Sequence, residues 1–339
     1  MMHGSGGESV VRMPGSLTCL GGGHGLFQTL RAGRHLDIDR ITAVVTVADD
    51  GGSSGRIRKE LGQIPPGDLR MALAALSRDS DEGRLWEETL QHRFGGYGAL
   101  AGHAVGNLLI AGLTDVLGSQ VQALDAVAAL TQSHGRVLPV CEQPLEIEAE
   151  VAGLGDEPMS VRPVRGQVAV ASTTGNVRRV RLFPENPPGG SDAIAAILSA
   201  DMVTLGPGSW FTSVIPHILV PDITRALTET DACRVVILNL TAEPGETAGF
   251  STERHIHMLT QHAPELRVDH ILIDATTITS EVERRYLARA AATIGADVTF
   301  EPVRADDGNG GWVNRHDPVK LASALQRVYT RHVSAEPRR

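Results

Sequence analysis

Val44-Val45-Thr46-Val47-Ala48-Asp49-Asp50-Gly51-Gly52-Ser53-Ser54-Gly55 runs from a β-branched strand into two adjacent carboxylates and then into small, donor-rich residues. β-branched residues favour the pleated, buried surface of a strand, and a Gly/Ser run cannot prolong it. A passage of the same form stands one strand-loop-helix unit earlier, where the apolar residues 17–20 lead into Gly21-Gly22-Gly23-His24-Gly25. Two such loops at the carboxyl ends of neighbouring strands face one crevice, which is where open α/β sheets bind ligands.

Working outward, strand-like runs at 17–20, 41–48, 201–205, 234–240, 268–274 and 297–301 alternate with helical stretches. Helices are expected at 27–32, at 68–77 after Pro65-Pro66-Gly67, and at 106–117. Two more are expected at 281–293, behind the capping box Ser280-Glu281-Val282-Glu283, and at 318–329 after Asp317. This alternation predicts an α/β fold: a Rossmann-like, doubly wound, mostly parallel sheet with helices on both faces. Between residues 145 and 184 the period changes. Leu145-Glu-Ile-Glu-Ala-Glu-Val151 alternates strictly, and residues 167–171 and 177–183 flank the turn signal Thr174-Gly175-Asn176. A small antiparallel β insertion is expected there, closed by the Pro/Gly-rich linker 184–190. Residues 1–15 are expected to be a flexible terminus, 16–330 a single α/β domain, and 331–339 a tail.

The composition narrows the function. A formal charge of −9 argues against a nucleic-acid surface, which needs a basic stripe to displace counterions. Lys59 and Lys320 are the only lysines among 31 basic residues, so phosphate contacts would fall to Arg forks and backbone N–H groups. Cys19, Cys141 and Cys233 show no metal or disulfide spacing and read as buried, reduced thiols. No apolar run reaches the ~20 residues needed to span a bilayer, so a cytoplasmic protein without nucleic-acid or membrane partners is expected.

Four loops carry the candidate chemistry. In the first, Gly22, Gly23, His24 and Gly25 would let N–H groups and a helix dipole approach a phosphate, although Leu26 interrupts a dinucleotide fingerprint. In the second, Asp49 and Asp50 repel each other and need a metal, hydroxyls or amides to offset that, which Gly51, Ser53 and Ser54 could supply. Successive side chains on extended backbone point to opposite faces, so one carboxylate would address a ligand and the other brace the loop. The third loop, Gly206-Pro207-Gly208-Ser209 with Thr212 and Ser213, reads as another anion nest at a helix start. The fourth follows Asn239 and Thr241 into Glu243-Pro244-Gly245-Glu246-Thr247. Asp68 and Arg70 open one helix and His103 and Asn107 another, with structural and functional roles equally open. His92, His134, His255, His257 and His262 show no metal pattern, and Glu146, Glu148 and Glu150 read as one solvated strand face.

Taken in order, Gly21-Gly22-Gly23-His24-Gly25-Leu26, Val45-Thr-Val-Ala-Asp-Asp-Gly-Gly-Ser-Ser-Gly-Arg56, Pro66-Gly67-Asp68-Leu69-Arg70, Gly102-His103-Ala-Val-Gly106-Asn107-Leu108 and Gly206-Pro207-Gly208-Ser209 resemble the gluconeogenesis-factor (YvcK-like) family. These proteins are relatives of the 2-phospho-L-lactate transferase CofD. The resemblance spans roughly residues 16–330, and His24 stands where the family usually has Thr. It implies a Rossmann-like core binding a UDP-sugar nucleotide, and a regulatory role in cell shape and cell-wall control on gluconeogenic carbon sources. It further implies that Gly23, His24 and Gly25 approach the diphosphate, that Asp49, Asp50, Ser53 and Ser54 line the cleft, and that Gly208 and Ser209 make a second anion contact. A cell-wall or morphogenesis protein is the partner it suggests, with residues 145–184 as the candidate surface, and a homo-oligomer is left open. The alternative is an enzyme of the transferase branch, moving a phospholactyl group from a guanosine-linked donor to a deazaflavin with Mg²⁺ held at Asp49 and Asp50. The transferases resemble one another in placing Asn-Thr-Gly before the paired aspartates. This chain has Thr46-Val47-Ala48, which favours the regulator branch. A nicotinamide dehydrogenase is a minor third reading, without a clean fingerprint to support it.

Overall fold

The computed structural model describes residues 13–155, 160–243, 246–247 and 249–335. Its strands, in chain order, are β1 (Ser16–Gly21), β2 (Arg40–Val45), β3 (Gly135–Pro139), β4 (Glu146–Ala152), β5 (Val161–Arg165), β6 (Asn176–Phe183), β7 (Met202–Leu205), β8 (Cys233–Ile237), β9 (His270–Asp274), β10 (Asp297–Glu301), β11 (Arg304–Asp306) and β12 (Trp312–His316). Seven of them form one parallel sheet in the order β10-β9-β8-β7-β1-β2-β3. Helices cover both faces, so every residue of β1, β7 and β9 is buried, as expected of a parallel sheet without a solvated side. The doubly wound expectation holds.

The chain leaves β1 in one direction to build β2 and β3, then returns to lay β7 against the other side of β1. The order therefore reverses between β1 and β7, and the loops after these two strands must diverge and open a crevice. Helix Gly23–Gly33 follows β1 at once. Its stripe Leu26, Thr29, Leu30 and Gly33 recurs at helical spacing and is buried, and it packs against helices Gly67–Leu76 and Pro318–Ala335.

The insertion is a three-stranded antiparallel sheet, β5-β4-β6, but its third strand is not the expected one. Residues 167–171, expected as a strand flanking the turn signal Thr174-Gly175-Asn176, form a short helix, Gln167–Ala171. Five residues cannot distinguish the two periods. Gly166, at φ +101°, turns the chain and accepts the Val170 N–H, and the side chain of Asp50 accepts the Val168 N–H at 2.9 Å. The true partner of β4, Val161-Arg-Pro-Val-Arg165, is exposed and carries Pro163 on a sheet edge, where a missing N–H does no harm.

Strands β2 and β8 stop at Val45 and Ile237, short of the expected 48 and 240. The residues beyond become the loops of the site. The last helix runs to Ala335 rather than 329, because Arg327 and Arg331 both reach Glu301 at 2.8 Å and hold its final turns to β10. The expected tail is thus helical over 331–335; residues 336–339, and 1–12 of the expected flexible terminus 1–15, lie outside the described residues, while Met13 packs against the core. Cys19, Cys141 and Cys233 are buried thiols, none in a disulfide. Among the described residues no helix is long and apolar enough to cross a membrane.

Candidate functional site

The crevice between β1 and β7 holds a cleft of about 150 Å³. His24, Gly25 and Gln28 line one wall, and they belong to the first turns of helix Gly23–Gly33 rather than to a free loop. Pro207 and Gly208 form the floor, Asn239, Thr241 and Glu243 the next wall, and Asn314, Arg315 and His316 of β12 the far rim. The two glycine-containing segments touch directly. A Cβ on Gly25 would stand 2.1 Å from the Pro207 carbonyl oxygen, so only glycine lets this helix start lie on that loop. Asn239 locks the floor from beneath: its Oδ1 accepts the Gly208 N–H and its Nδ2 donates to the Gly208 carbonyl, each at 2.9 Å.

The helical segment after β7 differs from the expected anion nest, because its donors are already engaged. The Ser209 hydroxyl and the Trp210 N–H donate to Glu243, at 3.4 and 3.3 Å. The Phe211 N–H and the Thr212 hydroxyl donate to Glu246, at 2.9 and 2.7 Å. Two carboxylates thus occupy the position proposed for a phosphate. Burial, reinforced by Glu246, pushes Glu243 up to about 7, and burial raises Glu246 as well. Pro244 and Gly245, between them in sequence, lie outside the described residues.

The paired aspartates separate, as alternation requires. Asp50 turns to the insertion, where it accepts the Val168 N–H and lies so close to Gly166 that a Cβ there would meet Oδ2 at 2.4 Å. Asp49 turns inward. It accepts the Gly51 N–H at 2.9 Å, is hydrogen-bonded by Ser54, and has its pKa raised, first by burial. Its neighbour across the site is Asp68, at the start of helix Gly67–Leu76. Burial first, and then the Asp49 charge, push Asp68 up to about 7, although it accepts the Gly23 N–H. Gly22 exists for this approach: a Cβ there would fall 2.5 Å from Asp68 Oδ2 and 2.8 Å from Thr46 Cγ2. Two carboxyls whose pKa values are raised by burial, one of them raised further by the charge of the other, are a suitable donor set for a hard cation. The pair that fits is Asp49 with Asp68, in place of the expected Asp49 with Asp50.

Ser53 and Ser54 are buried in the first turn of helix Gly52–Leu61. Ser53 faces away from the crevice, 2.9 Å from His103 Nδ1 and 3.0 Å from the Asn107 amide that donates to it. Arg70 is buried, hydrogen-bonded to Gln91, and pulled down to about 10 by burial and by Arg93. Ser53, Arg70 and Asn107 are buried and engaged with His103, Gln91 and Ser53 respectively, and they do not line the cleft of about 150 Å³.

Sequence reasoning missed Gln28, Asn314, Arg315 and His316 in the cleft. They lie in a helix middle and in a short hairpin with no glycine loop or strand-end signature. It also passed over His217, which is fully buried and bridges the Ser213 carbonyl through Nδ1 (2.9 Å) and the Val44 carbonyl through Nε2 (3.1 Å), and which burial pulls down to about 4. Neutral and so with one ring N–H, the imidazole donates to only one of these two carbonyls at a time, wedged between β2 and the helical segment that follows β7. His255, by contrast, packs as expected, edge-on to Trp210.

The family model for the 2-phospho-L-lactate transferase CofD matches residues 17–308. The chain belongs to the CofD family. The match ends before β12, so the far rim of the cleft lies beyond it. A protein of Mycobacterium tuberculosis named "Putative gluconeogenesis factor" is 57% identical over 95% of this chain and 93% of its own length. The "Gluconeogenesis factor" of Bacillus subtilis is 37% identical over 91% of this chain and 96% of its own. A crystal structure of a UPF0052 family member from Bacillus halodurans superposes with a TM-score of 0.79 at 32% identity, covering 91% of this chain and 99% of that one. The fold shared with that structure thus extends over 91% of this chain.

Proposed function

We propose that the chain is a UDP-sugar-binding regulator, a gluconeogenesis factor like its named relatives, acting in cell-shape and cell-wall control on gluconeogenic carbon sources. The observation that carries the binding reading is the cleft at the β1/β7 switch point and its rim. There the helix start at His24 and Gly25 and the exposed guanidinium of Arg315 converge from opposite walls. A diphosphate suits that arrangement, because a helix start and an Arg fork both favour negative charge. His316 supports it: the side chain is buried and its Nε2 has no hydrogen-bond partner, a deficit that a ligand in the cleft could meet. The insertion is the proposed partner surface, since Asp50 ties its short helix to the ligand loop and Arg58 pairs with Glu146 at 3.2 Å.

A second reading is favoured by one observation, the Asp49/Asp68 pair. Those two residues would hold Mg²⁺ in a phospholactyl transferase, where the cation would neutralise phosphate charge. A thermal-unfolding panel of UDP-N-acetylglucosamine, UDP, GDP and a deazaflavin, each with and without Mg²⁺, separates the two. A ligand at 100 times its Kd stabilises by about 2.7 kcal/mol. Stabilisation by UDP-sugars that are recovered unchanged is the expected result. Stabilisation confined to GDP or deazaflavin with Mg²⁺, accompanied by turnover, would replace the regulator reading with the transferase.

A further inference from the structure

At the amino-terminal edge of the sheet, opposite the cleft, Cys233, His270 and His332 bring one donor atom each to within 4.8 Å of one another. The topology makes this meeting specific. The β8/β9 register pairs Val235 with His270, so Cys233, two residues earlier on β8, points to the same face as His270. His332 arrives from the last turn of helix Pro318–Ala335, its ring edge-on to His270 at 5.7 Å between centroids. Cys233 and His270 are 1% and 7% exposed. An independent sign points to a ligand: His270 Nδ1 is buried with no hydrogen-bond partner, and buried imidazole nitrogens are rarely left so. A surface groove of about 650 Å³, lined in part by His270, His332 and Asp297, leads to the cluster.

We propose that Cys233, His270 and His332 form a Zn²⁺ site. One thiolate with two imidazoles is the donor softness that selects zinc over Mg²⁺ or Ca²⁺. Zn–N bonds of about 2.0 Å and Zn–S bonds of about 2.3 Å require donors roughly 3.5 Å apart. The partly buried His332, at a helix end, supplies the small closure. Cys233 loses its proton to solvent as the metal binds, and a water from the groove takes the fourth position. The ion would staple the carboxyl-terminal helix, whose amino end follows the cleft-lining β12, to the far edge of the sheet. This site is independent of the switch-point cleft and of what that cleft binds.

The test is titration of the full chain, stripped with EDTA, with Zn²⁺ in competition with a chromogenic chelator, followed by Co²⁺ substitution. One equivalent should bind, and Co²⁺ should give tetrahedral ligand-field bands with a thiolate charge-transfer band. Cys233→Ser should abolish the charge-transfer band, and His332→Ala should weaken binding more than tenfold with an unchanged circular dichroism spectrum. His35→Ala, on the exposed surface, should change nothing. If Cys233→Ser does not fold, His332→Ala alone decides. Absence of saturable one-equivalent binding, or binding equal in wild type and His332→Ala, overturns the site.

Discussion

Gly25→Ala tests the contact on which the cleft depends. The added Cβ would meet the Pro207 carbonyl oxygen at 2.1 Å, its carbonyl carbon at 2.5 Å and Gly208 Cα at 2.9 Å, all backbone atoms. Comfortable separations are about 3.5 Å, so the helix start and the loop must part by more than ~1 Å. Neither segment can yield cheaply. Asn239 grips Gly208 by two hydrogen bonds, and the Gly206 N–H donates to the Leu20 carbonyl at 3.0 Å. Overpacking of this kind costs about 1–3 kcal/mol, and alanine's better helix propensity returns roughly 0.5–1 kcal/mol of it. A net loss of about 1 kcal/mol, at most about 2.5 kcal/mol, is expected, with UDP-sugar affinity falling further because the cleft walls move apart. Gly23→Ala is the control. Gly23 sits at φ +57° with no atom within 4 Å of its added Cβ, so only the left-handed strain of about 1–2 kcal/mol applies and the cleft keeps its shape. Urea unfolding midpoints and slopes measure the stabilities, and calorimetric titration with UDP-N-acetylglucosamine measures the affinities. A Gly25→Ala protein within ~0.5 kcal/mol of wild type that binds as tightly as Gly23→Ala would refute the reasoning.

Asp68→Asn should flatten the pH dependence of stability between about pH 4 and 7. The folded protein raises this carboxyl from 3.8 to about 7 and so holds its proton more tightly than the unfolded chain does. The stabilisation is complete below the unfolded value and is lost as pH rises through the folded one. At 1.36 kcal/mol per unit the ceiling is about 4 kcal/mol, and partial exposure brings the expected difference nearer ~2 kcal/mol. Glu243 adds the same sign in the same window, so the comparison is between variant and wild type in urea melts across that range, and equal slopes would exclude the assignment. Arg315→Ala and Asn239→Ala should part in opposite ways. The exposed Arg315 should lose at least tenfold in UDP-sugar affinity with stability unchanged. Asn239→Ala, which strands the Gly208 N–H and carbonyl, should lose about 1–3 kcal/mol of stability, read by thermal unfolding. Unfolding midpoints and calorimetric affinities that change together in both variants would contradict the division of labour drawn here.

The period of the apolar residues and the glycine loops that interrupt it determined the parallel sheet, the order of its loops and the crevice they face. Those signals are local, and a buried parallel strand followed at once by Gly-Gly-Gly-His-Gly has few other structures open to it. Alternation along extended backbone likewise required Asp49 and Asp50 to diverge. Which of them faces inward was decided by tertiary structure, because Asp50 is claimed by an N–H of helix Gln167–Ala171, more than a hundred residues away, which leaves Asp49 to the Gly51 N–H, Ser54 and the neighbourhood of Asp68. The same distance hid the engagement of Ser209 and Thr212: hydroxyls at a helix start look identical in sequence whether a phosphate or Glu243 and Glu246 will accept from them. Arg315 and His316 reach the cleft only because β12 folds back beside β11, and Cys233, His270 and His332 meet only because strand register and a terminal helix carry them to one edge. Local pattern sets which backbone each segment adopts; which side chains meet depends on packing between segments far apart in the chain, and that is expressed only in the folded molecule.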